Sequence, residues 1–409
     1  MKCRHCGAEL RLPFLDLGVA PPSNAYLTAD KLPAAEAWYP LRLLVCESCW
    51  LVQTEDFVGR ESLFDADYAY FSSVSTSWLA HARRYVETMI GRFGLGAASR
   101  VVEIAANDGY LLQYVQRAGI PCYGIEPTAS TAGAARAKGI EILERFFGVA
   151  LADELAAAGK QADLTAANNV LAHVPDINDF VVGFTRLLKP GGVATFEFPH
   201  LLRMAGENQF DTAYHEHYSY LSLTAVARVF AANGLAVFDV EEWPTHGGSL
   251  RVFAQRADTG GQPVSERVGA LLGREDAAGI ATPAFYRGFQ ARAEKVKDDF
   301  LTFLIDARRQ GKKVAAYGAA AKGNTLLNFA GVKPDLLPYV VDRAPSKQGK
   351  FMPGSRIPVV AEDRLRADRP DYVVLLPWNL RDEVSAQIDY IQEWGGRIVT
   401  AVPALAVAP

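Results

Sequence analysis

Val101-Val102-Glu103-Ile104-Ala105-Ala106-Asn107-Asp108-Gly109-Tyr110, running on into Leu111-Leu112-Gln113-Tyr114-Val115, is the stretch that decides the fold. Val101, Val102, Ile104 and Ala105 make a short apolar run that reads as a strand buried on both faces. Asn107-Asp108-Gly109 is turn chemistry, with glycine free to take φ > 0. Leu111, Leu112 and Val115 then recur at helical spacing. A strand, a tight turn and a helix N-terminus together form the geometry that receives a nucleotide at the carboxyl edge of an open α/β sheet. A second strand over 121–125 ends at Glu126, placed to accept hydrogen bonds from a ribose diol about 20 residues beyond the turn. An ordinary βαβ unit is the plain alternative. The pairing of turn and acid favours the nucleotide site.

A chain of 409 residues is too long for one ordinary core, so two or three domains are expected. It is 50% hydrophobic and 22% charged with a net charge of −4, which gives no electrostatic reason to expect a nucleic acid or an anionic membrane as partner. No apolar run suffices to span a bilayer and MKCRHCGAEL does not read as a signal peptide, so a cytoplasmic location is expected. The oligomeric state is open, and a monomer is plausible.

Four of the five cysteines form two C-x-x-C pairs, Cys3/Cys6 in CRHC and Cys46/Cys49 in CESC. In a reducing compartment this pattern predicts one tetrahedral structural zinc. A redox-active dithiol is the rival, disfavoured by two matched pairs without a thioredoxin-like context. His5 lies inside the first knuckle, but four thiolates already satisfy the metal. Pro13, Pro21, Pro22, Pro33 and Pro40 predict an irregular segment between the knuckles. Ser23-Asn24-Ala25-Tyr26 is read as a turn ahead of a pocket wall. The aromatics Tyr68, Tyr70 and Phe71, followed by Ser72, Ser73, Ser75 and Thr76, either cap a helix over about 77–93 or set phenols beside a cofactor.

After Glu126 the pattern predicts a helix over 128–138, strands at 139–143 and 163–167, a helix over 177–188 and a strand over 193–198. A helix over 223–233 and strands over 235–240 and 248–256 close the domain. Asn168, Asn169 and His173 follow a strand's carboxyl end, where a cofactor edge would lie. An insertion over 199–222 leaves that same edge and must cover the pocket. Within it Tyr214, His215, Glu216, His217, Tyr218 and Tyr220 crowd seven positions. A buried hydrogen-bond network and a metal site on His215 and His217 are alternatives. A catalytic cluster, with His217 or His215 as base and Glu216 orienting it, fits best. In Thr245-His246-Gly247-Gly248-Ser249-Leu250-Arg251, glycines allow close approach while His, Ser and Arg could grip an anion. A long charged helix over 282–310 leads to a second strand–turn–helix. Its strand is 314–317, its turn Gly318 to Asn324 and its second-strand acid Asp342. It is not a Walker loop, and it lacks the G-x-G-x-x-G pattern of a dehydrogenase. Two nucleotide-type sites in one chain are therefore expected.

An antiparallel pair ending an otherwise parallel sheet is similar to class I S-adenosylmethionine methyltransferases, with one departure: E-I-A-A-N-D-G lacks the usual glycine-rich spacing. With CRHC, CESC, VVEIAANDGYLL, YHEHYSYLS, HGGSLRV and YGAAAKGNTLLNF in this order, nearly the whole chain resembles the sugar C-methyltransferases of deoxysugar biosynthesis. The resemblance implies a zinc-binding module (1–75), a class I methyltransferase domain (76–256) and a C-terminal Rossmann-like domain that binds the nucleotide sugar (257–409). It implies methyl transfer from S-adenosylmethionine to C-3 of a dTDP-linked 4-keto-6-deoxy sugar. Tyr214, Glu216 and His217 would be the active-site cluster, His217 the base, with Tyr70, ahead of Tyr68, near the reacting centre. Glu103, Ala105, Asn107, Gly109, Glu126, Asn168, Asn169 and His173 would hold the cofactor. His200, His246, Gly248 and Arg251, with Tyr317, Gly318, Lys322, Gly323, Asn324 and Asp342, would hold the substrate. An O- or N-methyltransferase and a non-catalytic nucleotide sensor are the competing classes; the polar insertion argues against the sensor.

Overall fold

The computed structural model describes residues 1–57, 59 and 71–408. Three sheets organise them. The central seven-stranded sheet has the spatial order Leu235–Trp243, Ser249–Arg256, Leu188–Pro199, Ala162–Asn168, Val101–Ile104, Cys122–Ile125, Ile142–Leu143. Ser249–Arg256 is antiparallel to both neighbours, whereas the strands from Leu188–Pro199 to Ile142–Leu143 are parallel. This is the class I methyltransferase order. The strand direction reverses its winding between Val101–Ile104 and Ala162–Asn168, so the crevice beyond their carboxyl ends is where a ligand binds.

The C-terminal six-stranded sheet repeats that arrangement. Val314–Tyr317 lies between Val340–Val341 and Tyr372–Leu375, with Val359–Val360 and Arg397–Thr400 outside them and Ala406–Val407 antiparallel at one edge. Both sheets follow the winding that starts in the middle, runs outward, and returns to the other side of the first strand.

The N-terminal sheet departs from the sequence expectation. The segment after the first knuckle is a nine-residue strand, Leu12–Ala20, paired antiparallel with Tyr39–Val45. Pro13 is tolerated because this strand is the sheet edge, and Pro40 sits beside a register shift between Asp16 and Val19. Val52–Thr54 extends the sheet, and its last strand, Ser219–Tyr220, comes from the insertion. The zinc-knuckle sheet and the YHEHYSY segment are thus one hydrogen-bonded unit.

The long charged helix also differs. It breaks after Pro283–Tyr286 at Gly288, whose φ of 81° ends one helix before Phe289–Arg309 begins. Phe289 stacks on Phe14 at 4.4 Å between ring centroids, and Tyr286 meets the same ring edge-on at 5.5 Å. One apolar core therefore joins the N-terminal sheet to the C-terminal sheet, while Cys3, Leu10, Cys46 and Leu51 pack into the core of the central sheet. No helix among the described residues is long and apolar enough to cross a membrane.

Candidate active site

The first turn keeps the conformation of a glycine-rich loop with only one glycine. Ala105, Asn107 and Gly109 take φ of 59°, 50° and 75°. For alanine the left-handed region costs about 1–2 kcal/mol, and asparagine tolerates it better. A Cβ on Gly109 would stand 2.4 Å from Ile140 Cδ1, so the third position alone must be glycine on packing grounds. The sequence departure is therefore a change of residue, not of backbone. Glu126 locks the turn: its carboxylate accepts from the Asn107 N–H at 2.9 Å and the Thr128 N–H at 3.0 Å. Burial pushes its carboxyl up, and these two hydrogen bonds offset part of the shift. Ser72 N–H donates to Asn107 Oδ1 at 2.9 Å, and Ser75 caps Thr76–Phe93 by accepting from Trp78 N–H. The hydroxyl cluster is a cap that also closes over the turn; Tyr68 and Tyr70 lie outside the described residues.

Across the crevice, Asn168 Nδ2 donates to the Tyr110 hydroxyl at 3.3 Å. Asn168 Oδ1 and Asn169 Oδ1 are buried with no hydrogen-bond partner among the described residues. Glu103 is wholly buried, and burial holds its carboxyl well above the usual range. The positive-φ turn, an acid at the second strand tip and unpaired amide oxygens fit an adenosine-bearing cofactor.

The insertion is where the geometry is sharpest. His217 Nδ1 lies 2.9 Å from the Thr212 carbonyl. A carbonyl only accepts, so Nδ1 carries the proton and Nε2 is the basic nitrogen. Burial, with His173 as the next cause, holds this imidazole well below its ordinary pKa and therefore neutral. Tyr214 lies over the ring at 3.9 Å between centroids and His173 meets it edge-on at 4.6 Å. His173 Nδ1 donates to the Glu216 carbonyl at 2.8 Å, and burial brings its pKa down to about 4. His173, expected at the cofactor edge, thus also packs against His217 and bonds the insertion. His215, the other candidate base, turns away: its Nε2 donates to the Pro40 carbonyl at 3.2 Å and its ring faces Tyr39. Among the described residues, neither histidine of H-E-H belongs to a cluster that could hold a metal.

Glu216 is pushed up to about 7, chiefly by burial. One oxygen accepts from Asn24 Nδ2 at 3.2 Å, and the other has no partner among the described residues. The Ser23–Tyr26 segment opens with the expected turn, and Tyr26 donates to the Ala319 carbonyl at 2.5 Å across the seam to the C-terminal sheet. From the N-terminal sheet, the Thr54 hydroxyl donates to the His217 carbonyl at 3.0 Å. The N-terminal sheet thus holds the main chain of His217 and the insertion its ring.

The C-terminal sheet brings residues that sequence reading missed. Trp378 and Asn379 follow its fourth strand, Tyr372–Leu375, the place that Asn168 and Asn169 occupy on the central sheet. That positional equivalence was the available signal. Trp378 Nε1 donates to Asp211 Oδ2 at 2.7 Å, and its ring presses on Gly247, where a Cβ would stand 2.6 Å away. Burial raises Asp211 to about 6. His246, at φ 55°, accepts from Asn169 Nδ2 at 3.2 Å and faces Trp78 at 4.9 Å. Lys322 reaches the same seam from helix Ala321–Phe329, which starts inside the turn expected over 318–324.

Several expected substrate contacts are engaged elsewhere. His200 is buried against Glu275 at 2.6 Å, and that carboxylate also accepts from Leu223 and Thr224 N–H, which anchors helix Leu223–Ala232. Arg251 gives its guanidinium to Glu197 at 2.7 Å and Glu241 at 3.0 Å, so it is a buried strut. Gly248, at φ 115°, lies against Arg203 and accepts from His200 N–H. Asn324 tethers the Ser23 carbonyl at 2.6 Å. Gly323 and Gly318 are packing glycines, since a Cβ would stand 2.7 Å from Leu376 and 2.5 Å from Pro377. Tyr317 donates to Glu362 at 3.0 Å, and Asp342 accepts from Ala319 and Ala344 N–H.

The cysteine expectation holds in geometry. Cys3 Sγ lies 3.6 Å from Cys49 Sγ, Cys6 Sγ lies 3.5 Å from Cys46 Sγ, and all four sulfurs fall within 4.8 Å of one another. Tetrahedral zinc with Zn–S of about 2.3 Å asks for sulfurs about 3.8 Å apart. Gly7 and Trp50, each one residue past a knuckle, both take positive φ (75° and 64°). Gln53 Nε2 donates to Cys3 Sγ at 3.3 Å, an outer support for the ligand set. His5 bonds Asn178 instead.

Comparison with known proteins agrees with this arrangement. Residues 3–64 match a family described as a zinc binding domain, 78–240 a methyltransferase domain, and 244–403 a C-methyltransferase C-terminal domain. The C-methyltransferase NovU of Streptomyces niveus is 34% identical over 402 residues, covering 98% of this chain and 95% of that one. A ubiquinone biosynthesis O-methyltransferase of Rhizobium etli is 27% identical over 154 residues, 34% of this chain and 61% of that one. Among solved structures, the Burkholderia thailandensis 1,6-didemethyltoxoflavin-N1-methyltransferase has 16% identity and a TM-score of 0.38 over 51% of this chain and 95% of that one. With both relatives and domain families aligned along it, the chain belongs to the C-methyltransferases: an S-adenosylmethionine-dependent enzyme carrying a four-cysteine zinc-binding module.

Proposed function

We propose that this enzyme methylates C-3 of a dTDP-linked 4-keto-6-deoxy sugar. The observation that carries the reading is His217, a buried neutral imidazole whose Nδ1–H is fixed on Thr212, leaving Nε2 as base. A carbon beside a ketone needs such a group. His217 Nε2 takes the proton, the C–H pair becomes the carbon–carbon double bond, and the carbonyl π pair moves to oxygen to give an enolate. S-adenosylmethionine supplies an electrophilic methyl on a sulfonium whose sulfur keeps the bonding pair when the methyl leaves. Tyr214 and His173 flank the base and orient it, and Glu216, holding its proton to about pH 7, can donate toward the acceptor. Ala105, Asn107, Gly109 and Glu126, with Asn168 and Asn169, suit the adenosine and ribose of the cofactor. Residues 1–75, 76–256 and 257–409 then serve as zinc module, methyl-transfer domain and nucleotide-sugar domain. A small-molecule sugar nucleotide is the partner, and the cytoplasm the setting.

The test is mass spectrometry of the protein incubated with S-adenosylmethionine and a panel of dTDP-4-keto-6-deoxy sugars. A methyl gained on carbon supports the reading. A methyl on oxygen or nitrogen, or none alongside tight binding of both nucleotides, overturns it.

A further inference from the structure

Lys322 is the charged group at the seam that the reading above leaves without a task. It stands on the first turn of helix Ala321–Phe329 and packs on Trp378, whose indole N–H donates to Asp211 of the central domain's insertion. Its ammonium donates to Asn379 Oδ1 at 2.7 Å and sits 4.4 Å from the centre of the Trp378 ring. Among the described residues Asn379 is its one hydrogen-bond acceptor, so two N–H bonds remain to be given. The nearest acid, Asp211, instead takes the Trp378 indole N–H, and its other oxygen is buried and unpartnered. The side chain is enclosed yet still touches solvent, as a wall of a crevice would.

The contrast with Lys347 is informative. That ammonium donates to the Ala319 carbonyl at 2.7 Å and pairs with Asp342 at 3.7 Å, so it completes the C-terminal turn. Lys322 faces the other way. Its charge bears on His217 and His246, the imidazoles of the central domain that line the same crevice, and on Asp211. Burial lowers the Lys322 pKa to about 8, which leaves it mostly charged near neutrality, and its field helps keep both histidines unprotonated.

Building on the proposed reaction, we propose that Lys322 is a catalytic residue supplied by the C-terminal domain, its ammonium donating to the ketone oxygen of the acceptor and stabilising the enolate as His217 removes the proton. The ammonium keeps its protons: the oxygen gains the π pair, and the hydrogen bonds it accepts from the two uncommitted N–H groups tighten. A preorganised cation aimed at the oxygen where charge develops is the kind of group that contributes most to such a step. Trp378 and Asn379 position it. The arrangement makes proton removal depend on the two domains being docked.

The test separates this role from holding the nucleotide. Lys322→Met and Lys322→Arg are compared with the wild type, using the dTDP-4-keto-6-deoxy sugar that the wild type methylates. Deuterium uptake beside the ketone is followed without S-adenosylmethionine, and dTDP affinity is measured separately. Lys322→Met is expected to lose about a hundredfold in both deuterium uptake and kcat. Its dTDP affinity stays within twofold, and Lys322→Arg recovers part of the rate. Unchanged uptake at saturating sugar overturns the proposal, and weakened dTDP binding with unchanged uptake assigns the lysine to phosphate. If Lys322→Met does not fold, Asn379→Ala, which frees the ammonium, must lower uptake in its place, or the proposal falls. A wild type that shows neither uptake nor carbon methylation with any sugar of the panel removes the reading on which the proposal rests.

Discussion

The two strand–turn–helix units are built on one device and use it differently. In each, the acid at the tip of the second strand accepts one N–H from the first turn and one from two residues beyond itself. Glu126 does so with Asn107 and Thr128, Asp342 with Ala319 and Ala344. Around that common lock the surroundings diverge. The central turn faces a crevice with unpaired amide oxygens at Asn168 and Asn169. The C-terminal turn is more tightly braced: Gly318 lies against Pro377, Gly323 against Leu376, Asp342 pairs with Lys347, and Asn324 Nδ2 donates to the Ser23 carbonyl while its Oδ1 is unpartnered among the described residues. The lesson is that one backbone lock can close two equivalent turns while the side chains around each decide how open its edge is.

The zinc module supports the first of these units, and its removal is the largest perturbation available. The sheet that carries Cys46 and Cys49 also holds Ser219–Tyr220 and the His217 carbonyl. Chelation or Cys46→Ser is therefore expected to lower the melting temperature sharply and abolish methyl transfer together, followed by calorimetry and product mass. Activity that survives full metal loss would detach the module from the site. At the next scale stands Glu216→Gln. Folded Glu216 keeps its proton to about pH 7 against an ordinary 4.5, so the folded state binds more protons in that window and loses stability as pH rises through it. The variant should gain at most about 3 kcal/mol over wild type on passing from below pH 4.5 to above pH 7, read by urea unfolding at both ends.

Two paired substitutions sharpen the comparison further. Glu126→Gln should weaken S-adenosylmethionine binding about tenfold by titration calorimetry, about 1.4 kcal/mol. Asp342→Asn should leave it unchanged; equal losses from both would erase the distinction between the units. The smallest effect concerns the backbone. Ala105→Gly relieves a left-handed alanine and should stabilise by about 1 kcal/mol, whereas Gly318→Ala, at φ 87° and against Pro377, should destabilise by more than that.

Much of this was legible beforehand because it rests on local chemistry. Val101–Ile104, the N-D-G turn, Glu126 at its distance and the two C-x-x-C pairs each declare themselves within a short span. The strand at Leu12–Ala20 was hidden by Pro13 and by the Pro21-Pro22 that follows it, and an edge position makes Pro13 harmless. The substrate residues were harder for a different reason. His200 and Arg251 carry the same groups whether they grip an anion or brace the interior, and only their buried partners Glu275 and Glu197 decide between the two. Asp211, Trp378 and Asn24 are single polar residues from three distant stretches, so no spacing links them until the chain folds.

The central claim is that His217 is the base that makes an acceptor carbon nucleophilic. It is tested most directly by following deuterium uptake beside the ketone of the dTDP-4-keto-6-deoxy sugar in heavy water, for wild type and His217→Asn, with S-adenosylmethionine binding measured on both. The account predicts uptake by the wild type and a loss of about a hundredfold or more in the variant, with cofactor affinity preserved. Equal uptake by two folded, cofactor-binding proteins would contradict it.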